Sequence, residues 1–427
     1  MGGLMNYIEK DSDFQQKLLN RFIKYVKIWT ESNLEKADKG IIPSEEREFE
    51  LAKQLSAELT VMGLQEVQVT KDCYTYAYLS PSKGFENVPP FCLLAHIDTV
   101  EEVSGKDVKP IIYPSYDGTP IDLQCNVRHD PKKDSALAEA AKNRETIITA
   151  DGTTLLGADD KAGISEIMTC IEYLVSHPEI NHGKIEVVFS PDEETGHGMD
   201  KVPLNLIKSK FAYTVDGGNI GELETECFNA CSALVTFTGK STHTGTARDG
   251  GMVNAVNIAS RFVESLPVRE RPETTCGYEG FYAVLEMNGS VEQASVSMIL
   301  RDFSEEGMEG RISAVKKLAE SAALSFGGKY EVSFKEQYKN MKSGLEKNPS
   351  VVKNLVAAYE ASGIKPVFVP VRGGTDGSRL TEMGIPTPNI FTGGHNYHGR
   401  YEWASLEQMG AATDVLINLA QKIAENK

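Results

Sequence analysis

Five apolar residues in succession, Phe91-Cys92-Leu93-Leu94-Ala95, run without a break into His96-Ile97-Asp98. A strand with one wet face alternates between apolar and polar residues. An unbroken run of this length is what a strand buried on both faces requires. Such strands belong to largely parallel sheets covered by helices on both sides, so the run points to an α/β fold. Polar groups just past its end lie at the carboxyl edge of the sheet, where open α/β folds place their sites. In extended chain, residues two apart face the same side, so His96 and Asp98 can touch.

The rest of the chain alternates accordingly. Helical spacing is found over residues 13–35, with Leu18, Leu19, Phe22, Ile23 and Val26 on one stripe. It recurs over 44–63, opening on Pro43-Ser44-Glu45-Glu46 as a plausible capped start. Strand patterns follow at 67–70 and 74–79. Residues 101–150 are polar, rich in Asp, Lys and Pro, and read as a long loop with short strands. A helix over 162–176 and a strand over 184–190 complete a strand–helix–strand unit. Near residue 222 the style changes. Strands are expected at 232–238, 279–287, 294–302 and 330–339, with helices at 251–265 and 309–325, which is an α+β pattern. Beyond about 345 the α/β style returns, with a helix at 349–362, a strand at 367–369 and a helix at 405–424.

The chain has 427 residues, 41% apolar and 25% charged, enough for two cores. Its net charge of −17 and the lack of a Lys/Arg cluster exclude a nucleic-acid partner. The seven cysteines are odd in number and scattered, unlike a disulfide framework. Cys227 and Cys231 lack a second pair at zinc-site spacing and read as strand residues. The opening MGGLMNYIEKDSDF has no apolar core of leader length, and no uncharged run is long enough to span a membrane. A cytoplasmic location, away from membranes, is expected.

Chemistry-bearing residues gather where strands end. Besides His96 and Asp98 there are Gly157-Ala158-Asp159-Asp160-Lys161-Ala162-Gly163, Ser190-Pro191-Asp192-Glu193-Glu194-Thr195-Gly196 and Val215-Asp216-Gly217-Gly218. Gly394-His395-Asn396-Tyr397-His398-Gly399 lies late in the chain. Each has a bland alternative: a buried His with a structural Asp, a helix start favoured by the dipole, or a solvated pair of glutamates. Taken together they bring His, Asp and Glu to one sheet edge. That mixed N/O set suits zinc, and its carboxylate excess suits two ions sharing a bridging carboxylate. Adjacent glutamates can divide the labour, one on the metal and one taking a proton from water. His-Glu-x-x-His and Gly-x-Ser-x-Gly are absent, and Gly239-Lys240-Ser241 lacks the upstream glycine of a phosphate loop.

AHIDTV at 95–100, TLLGADDKAG at 154–163, SPDEETG at 190–196, TVDGG at 214–218, RGGTDGSRL at 372–380 and FTGGHNYHGRYEW at 391–403, in this order, resemble the di-zinc superfamily of aminoacylases, carboxypeptidase G and the peptidase T family, the last being the nearest match. The resemblance covers nearly the whole chain. It implies a zinc-peptidase catalytic domain with a mixed, largely parallel sheet flanked by helices, formed by residues 1–222 and 343–427. An inserted α+β lid with an antiparallel sheet would occupy 223–342. It further implies two Zn2+ per chain, one on His96, Asp159 and Asp216, the other on Asp159, Glu194 and His398. Asp159 would bridge them and be followed by a cis peptide, with Asp98 behind His96. Glu193 would be the general base acting on a zinc-bridging water. His243 of the lid would stabilise the oxyanion, and Arg301 and Arg372 would grip the substrate's carboxylate. The implied activity is removal of the first residue from tripeptides, with small peptides as the partners and a homodimer compatible with the family.

Two features depart from the family pattern. Thr244 follows His243 where proline is usual, and His395 is an additional histidine, read as a loop residue. The rival readings are another amidohydrolase of the same superfamily and a binding protein with a vestigial site.

Overall fold

The computed structural model describes residues 6–8 and 10–425; residues 1–5 and 9 of the opening segment lie outside them. The chain divides into two compact units. One comprises Met1–Thr225, Ser343–Val369 and Thr375–Lys427, and the other Glu226–Lys342 and Pro370–Gly374.

The larger unit is built on an eight-stranded mixed sheet. Its order is Gln65–Val69, Thr75–Leu79, Ile185–Ser190, Phe91–His96, Ala212–Gly217, Asn389–Phe391, Glu222–Cys227 and Val367–Val371. The central strands run parallel, Phe91–His96 against both Ile185–Ser190 and Ala212–Gly217. Every residue of Phe91–His96 and Ile185–Ser190 is buried, as the unbroken apolar run requires. Cys92 and Leu94 face a cluster with Met199, Ile207 and Leu380. The helix Ala158–Ser176 packs against Phe91–His96 and Ala212–Gly217 and in turn carries Ser12–Tyr25 and Leu406–Glu425. Parallel strands sandwiched in this way end together, which brings His96, Ser190 and Gly217 to one edge.

Two local expectations are corrected. The second helix begins at Glu48 with no side-chain cap, not at Ser44. Ser44 is engaged elsewhere: its hydroxyl accepts from the Asn33 N–H at 2.8 Å and its own N–H donates to Asp192 Oδ2 at 2.7 Å. Within 101–150, a helix, Ser135–Asn143, forms in addition to the short strands. It holds four alanines among its nine residues, is capped by Asp134 and is closed by Arg144 in the left-handed region. Its polar surroundings concealed it.

The smaller unit is a four-stranded antiparallel sheet ordered Phe281–Gly289, Gln293–Asp302, Asn229–Thr238, Lys329–Tyr338. The helices Ala255–Ser265 and Glu305–Phe326 close its core, where Phe262 and Val315 meet Val235, Phe237, Val296 and Met298. Residues 370–374 group with this unit, although the sequence reading ran 343–427 together. Arg372 accounts for it by donating from Nη1 to Gly277 O at 2.8 Å and Glu279 O at 2.9 Å. Among the described residues no helix is long and apolar enough to cross a membrane.

Candidate metal centre

The sheet edge of the larger unit gathers seven of the singled-out side chains. His96, the last residue of its strand, is 2% exposed. Its Nε2 lies 2.9 Å from Asp159 Oδ1 and 3.7 Å from Asp216 Oδ1. On the other side of the ring, Nδ1 is 3.3 Å from Asp98 Oδ1. Asp98 is fully buried, and its two oxygens also accept the N–H groups of Glu193, at 2.9 Å, and Glu194, at 3.2 Å. One carboxylate thus sets both the imidazole ring and the turn that carries the paired glutamates.

Asp159 stands between two histidines. Its Oδ2 is 3.2 Å from His398 Nε2, which is itself 3.1 Å from Glu194 Oε2. The peptide between Asp159 and Asp160 is cis, as the resemblance implied. Asp160 turns away from the cluster, its Oδ2 accepting the His96 N–H at 3.1 Å and its Oδ1 that of Gly163 at 3.3 Å. Gly163 is required here, because a Cβ would collide with the carbonyl oxygen of Val215. Asp216, at the end of its own strand, has its backbone clamped by Asn389, which accepts the Asp216 N–H at 3.1 Å and donates to its carbonyl at 3.0 Å.

Two overlapping groups have potential ligand atoms within 4.8 Å of one another: His96, Asp159 and Glu194, and His96, Glu193 and Asp216. The electrostatics match a cation site. Burial, and then neighbouring acids, push the Glu193 and Asp216 carboxyls well above the usual range, and Glu194 up to about 7. For Asp159, burial acts in the same direction, but hydrogen bonds from His398 and His96 outweigh it and hold the carboxyl well below the usual range. Hydrogen bonds to Asp159 and Glu194 raise His398 to about 11. Glu194 Oε1 is buried with no hydrogen-bond partner. Crowded carboxylates, two imidazoles and an orphaned oxygen are what a divalent ion would satisfy.

The other candidates are not members of this group. His395 is not the loop residue expected: it is buried in the short strand Gly394–His395, paired with Trp403. Its ring stacks on Trp403 at 3.9 Å and its Nε2 meets Gln408 Oε1 at 2.9 Å, so it serves packing. His243, Arg301 and Arg372 belong to the smaller unit. His243 is exposed, and its Nδ1 accepts the Gly245 N–H at 3.1 Å. Arg301 donates to Gln337 Oε1 at 2.9 Å and lies over the Tyr338 ring. Arg372 adds a bond from Nη2 to Thr275 Oγ1 at 2.9 Å and lies over the Phe228 and Phe281 rings. Sequence reasoning missed the buried supports Asn389 and Glu402, because a lone Asn or Glu carries no pattern that distinguishes it from a surface residue.

This fold and this cluster define a hydrolase of the metallopeptidase type, and the comparisons agree. The model of peptidase family M20/M25/M40 matches residues 147–422, and the chain belongs to that family. It is 44% identical over 411 residues to a peptidase T of Clostridium perfringens, covering 96% of this chain and 100% of that one. A peptidase T of Listeria innocua is 45% identical over 416 residues, 97% and 100% of the two chains. In fold the chain is similar to the aminopeptidase PepT of Bacillus cereus, with a TM-score of 0.75 at 24% identity over 96% of this chain and 99% of that one. A tripeptidase of Staphylococcus aureus gives a TM-score of 0.77 at 21% identity, with the same coverages of 96% and 99%.

Proposed function

We propose that this peptidase is a two-zinc aminopeptidase that removes the N-terminal residue from tripeptides in the cytoplasm. The observation that carries the reading is the convergence of His96, Asp159, Glu193, Glu194, Asp216 and His398 at one strand edge. His96, Asp159 and Asp216 would hold one zinc and Asp159, Glu194 and His398 the other, with Asp159 as the bridge. With metal bound both imidazoles would be neutral, and the four carboxylates would carry a charge that two divalent ions offset, which favours two ions over one. Five of the seven cysteines are buried, in keeping with their use as small apolar residues.

Zinc bound there supplies Lewis acidity, lowering the pKa of water towards neutral and polarising the scissile carbonyl. The chain's own residues do the rest. Asp98 keeps the His96 ring in one orientation and, through the N–H groups of Glu193 and Glu194, holds the glutamate pair in register. Glu193 takes the proton of the attacking water and returns it to the leaving amine. Its buried position, which raises its proton affinity, suits that shuttle. His243 would donate to the oxygen that becomes negative. Arg301 and Arg372 would read the terminal carboxylate, since a planar guanidinium binds it bidentately and stays charged. Of the two, Arg372 has more of its donors engaged within its own unit.

Zinc content measured alongside turnover tests this reading. Two equivalents of zinc with rapid cleavage of free tripeptides and negligible cleavage of N-acyl amino acids are expected. Preference for the N-acyl amino acids would assign the chain to a different activity in the same superfamily.

A further inference from the structure

Glu402 is 1% exposed and lies four residues after His398, just before the strand Trp403–Ser405. Its Oε2 accepts the N–H groups of Leu156, at 2.8 Å, and Gly157, at 2.7 Å, and its Oε1 accepts that of Asp159 at 3.1 Å. These donors need an outside partner. Gly157 is in the left-handed region at φ 81°, and Asp159 and Asp160 have non-helical dihedrals, so the first turn of Ala158–Ser176 cannot satisfy itself. Gly157, as the residue before this helix, also makes no side-chain cap of its own. A carboxylate delivered from about 240 residues away in sequence performs the task.

The same segment carries His398. That residue has φ 61°, unusual for a non-glycine, and its side chain is 51% exposed, so little packing of its own holds it. Glu402 N donates to Gly399 O at 3.3 Å, closing the turn between the two. One side chain therefore ties the backbone of Asp159 to the loop that presents His398.

We propose that Glu402 is a positioning residue for the metal centre, fixing the spacing between Asp159 and His398. The proposal rests on the reading of Asp159 as the bridging ligand. Because Asp159 serves both ions, a displaced Asp159 weakens both, which a residue supporting a single ligand would not do. Glu402 itself points at backbone N–H groups and acts only through Asp159 and His398.

The test is Glu402→Gln. A glutamine keeps one carbonyl oxygen but turns an NH2 towards a backbone N–H, so one or more of the three bonds is lost. Zinc affinity of the metal-free protein, read by competition with a chromophoric chelator, should fall about 10–100-fold for both ions. The visible absorption of the cobalt-substituted protein should change in intensity and position, reporting altered ligand geometry. At saturating zinc, kcat should fall with KM little changed. A folded variant with wild-type zinc affinity and an unaltered cobalt spectrum would overturn the proposal. If the glutamine variant does not fold, Glu402→Asp is read instead. It keeps a carboxylate one methylene short of its donors, and the proposal requires weaker zinc binding and a shifted cobalt spectrum; wild-type values overturn it. Asp159→Asn separates this inference from the reading beneath it. If that variant keeps two zinc ions, the ligand assignment fails; if it loses them while Glu402→Gln does not, only the role of Glu402 fails.

Discussion

The two ends of the site are built differently. The His96–Asp216 end stands on strand termini of the central parallel sheet, and its imidazole is buried and held by Asp98. The His398–Glu194 end stands on loops, with the His398 side chain 51% exposed and its backbone in the left-handed region. Strand ends inherit their positions from the sheet and its core. Loops must be tied down by specific side chains, here Asp98 for Glu194 and Glu402 on the chain that bears His398. On the proposed ligand assignment, the contrast predicts a firmly held ion at the buried end and a more exchangeable one at the exposed end, with Asp159 shared between them.

That asymmetry can be broken most severely at its shared member. Asp159→Asn should reduce bound zinc from two equivalents to at most one, weakly held, and bring tripeptide turnover to background. Retention of both ions, measured by atomic absorption after gel filtration, would show that Asp159 does not bridge. His398→Ala should remove one ion while leaving the other near wild-type affinity. In the unmodified enzyme the same contrast should appear as two-step zinc removal by increasing chelator, and a single step would erase the distinction between the ends.

The smaller unit supplies the gentler tests. His243→Ala should leave zinc content unchanged and lower kcat by about 10²–10³-fold, the usual cost of one oxyanion donor. Unchanged kcat would remove His243 from the chemistry. Arg301→Ala and Arg372→Ala should each cost about 1.5–3 kcal/mol in kcat/KM on free tripeptides, as expected for a hydrogen bond to a charged group. The loss should be much smaller on tripeptide amides, which lack the terminal charge. Equal losses on acid and amide would show that the arginine maintains the Gly277–Glu279 loop or the Gln337 contact instead of reading the carboxylate.

The buried end of the site was also the more legible one in the sequence. Phe91–Ala95 announces a doubly covered strand, so the position of His96 follows from apolar patterning alone, and Asp98 follows from the two-residue period. Glu194 and Asp216 are visible as carboxylates at strand ends close to glycine, whereas Asp159, expected after a strand, lies in the first turn of the helix Ala158–Ser176. What the sequence did not reveal depends on long-range hydrogen bonding. Nothing in Arg400-Tyr401-Glu402-Trp403 shows that this Glu accepts three backbone N–H groups from Leu156, Gly157 and Asp159. Nothing around Ser44 shows that its hydroxyl and N–H serve Asn33 and Asp192 instead of capping a helix. Pro370–Gly374 grouped with the smaller unit for the same kind of reason, the reach of one arginine to carbonyls nearly a hundred residues away.

The division of labour between adjacent glutamates is the central claim, and Glu193→Gln tests it most directly. The two carboxyls share Asp98 as a backbone partner yet are assigned different tasks, Glu194 on a metal and Glu193 on a proton. Zinc content and tripeptide turnover are to be measured on the same preparation of this variant. Two zinc ions per chain are expected, with turnover reduced by about 10²–10⁴-fold, the contribution of a general base. Loss of zinc in proportion to activity would contradict the claim and place Glu193 among the ligands.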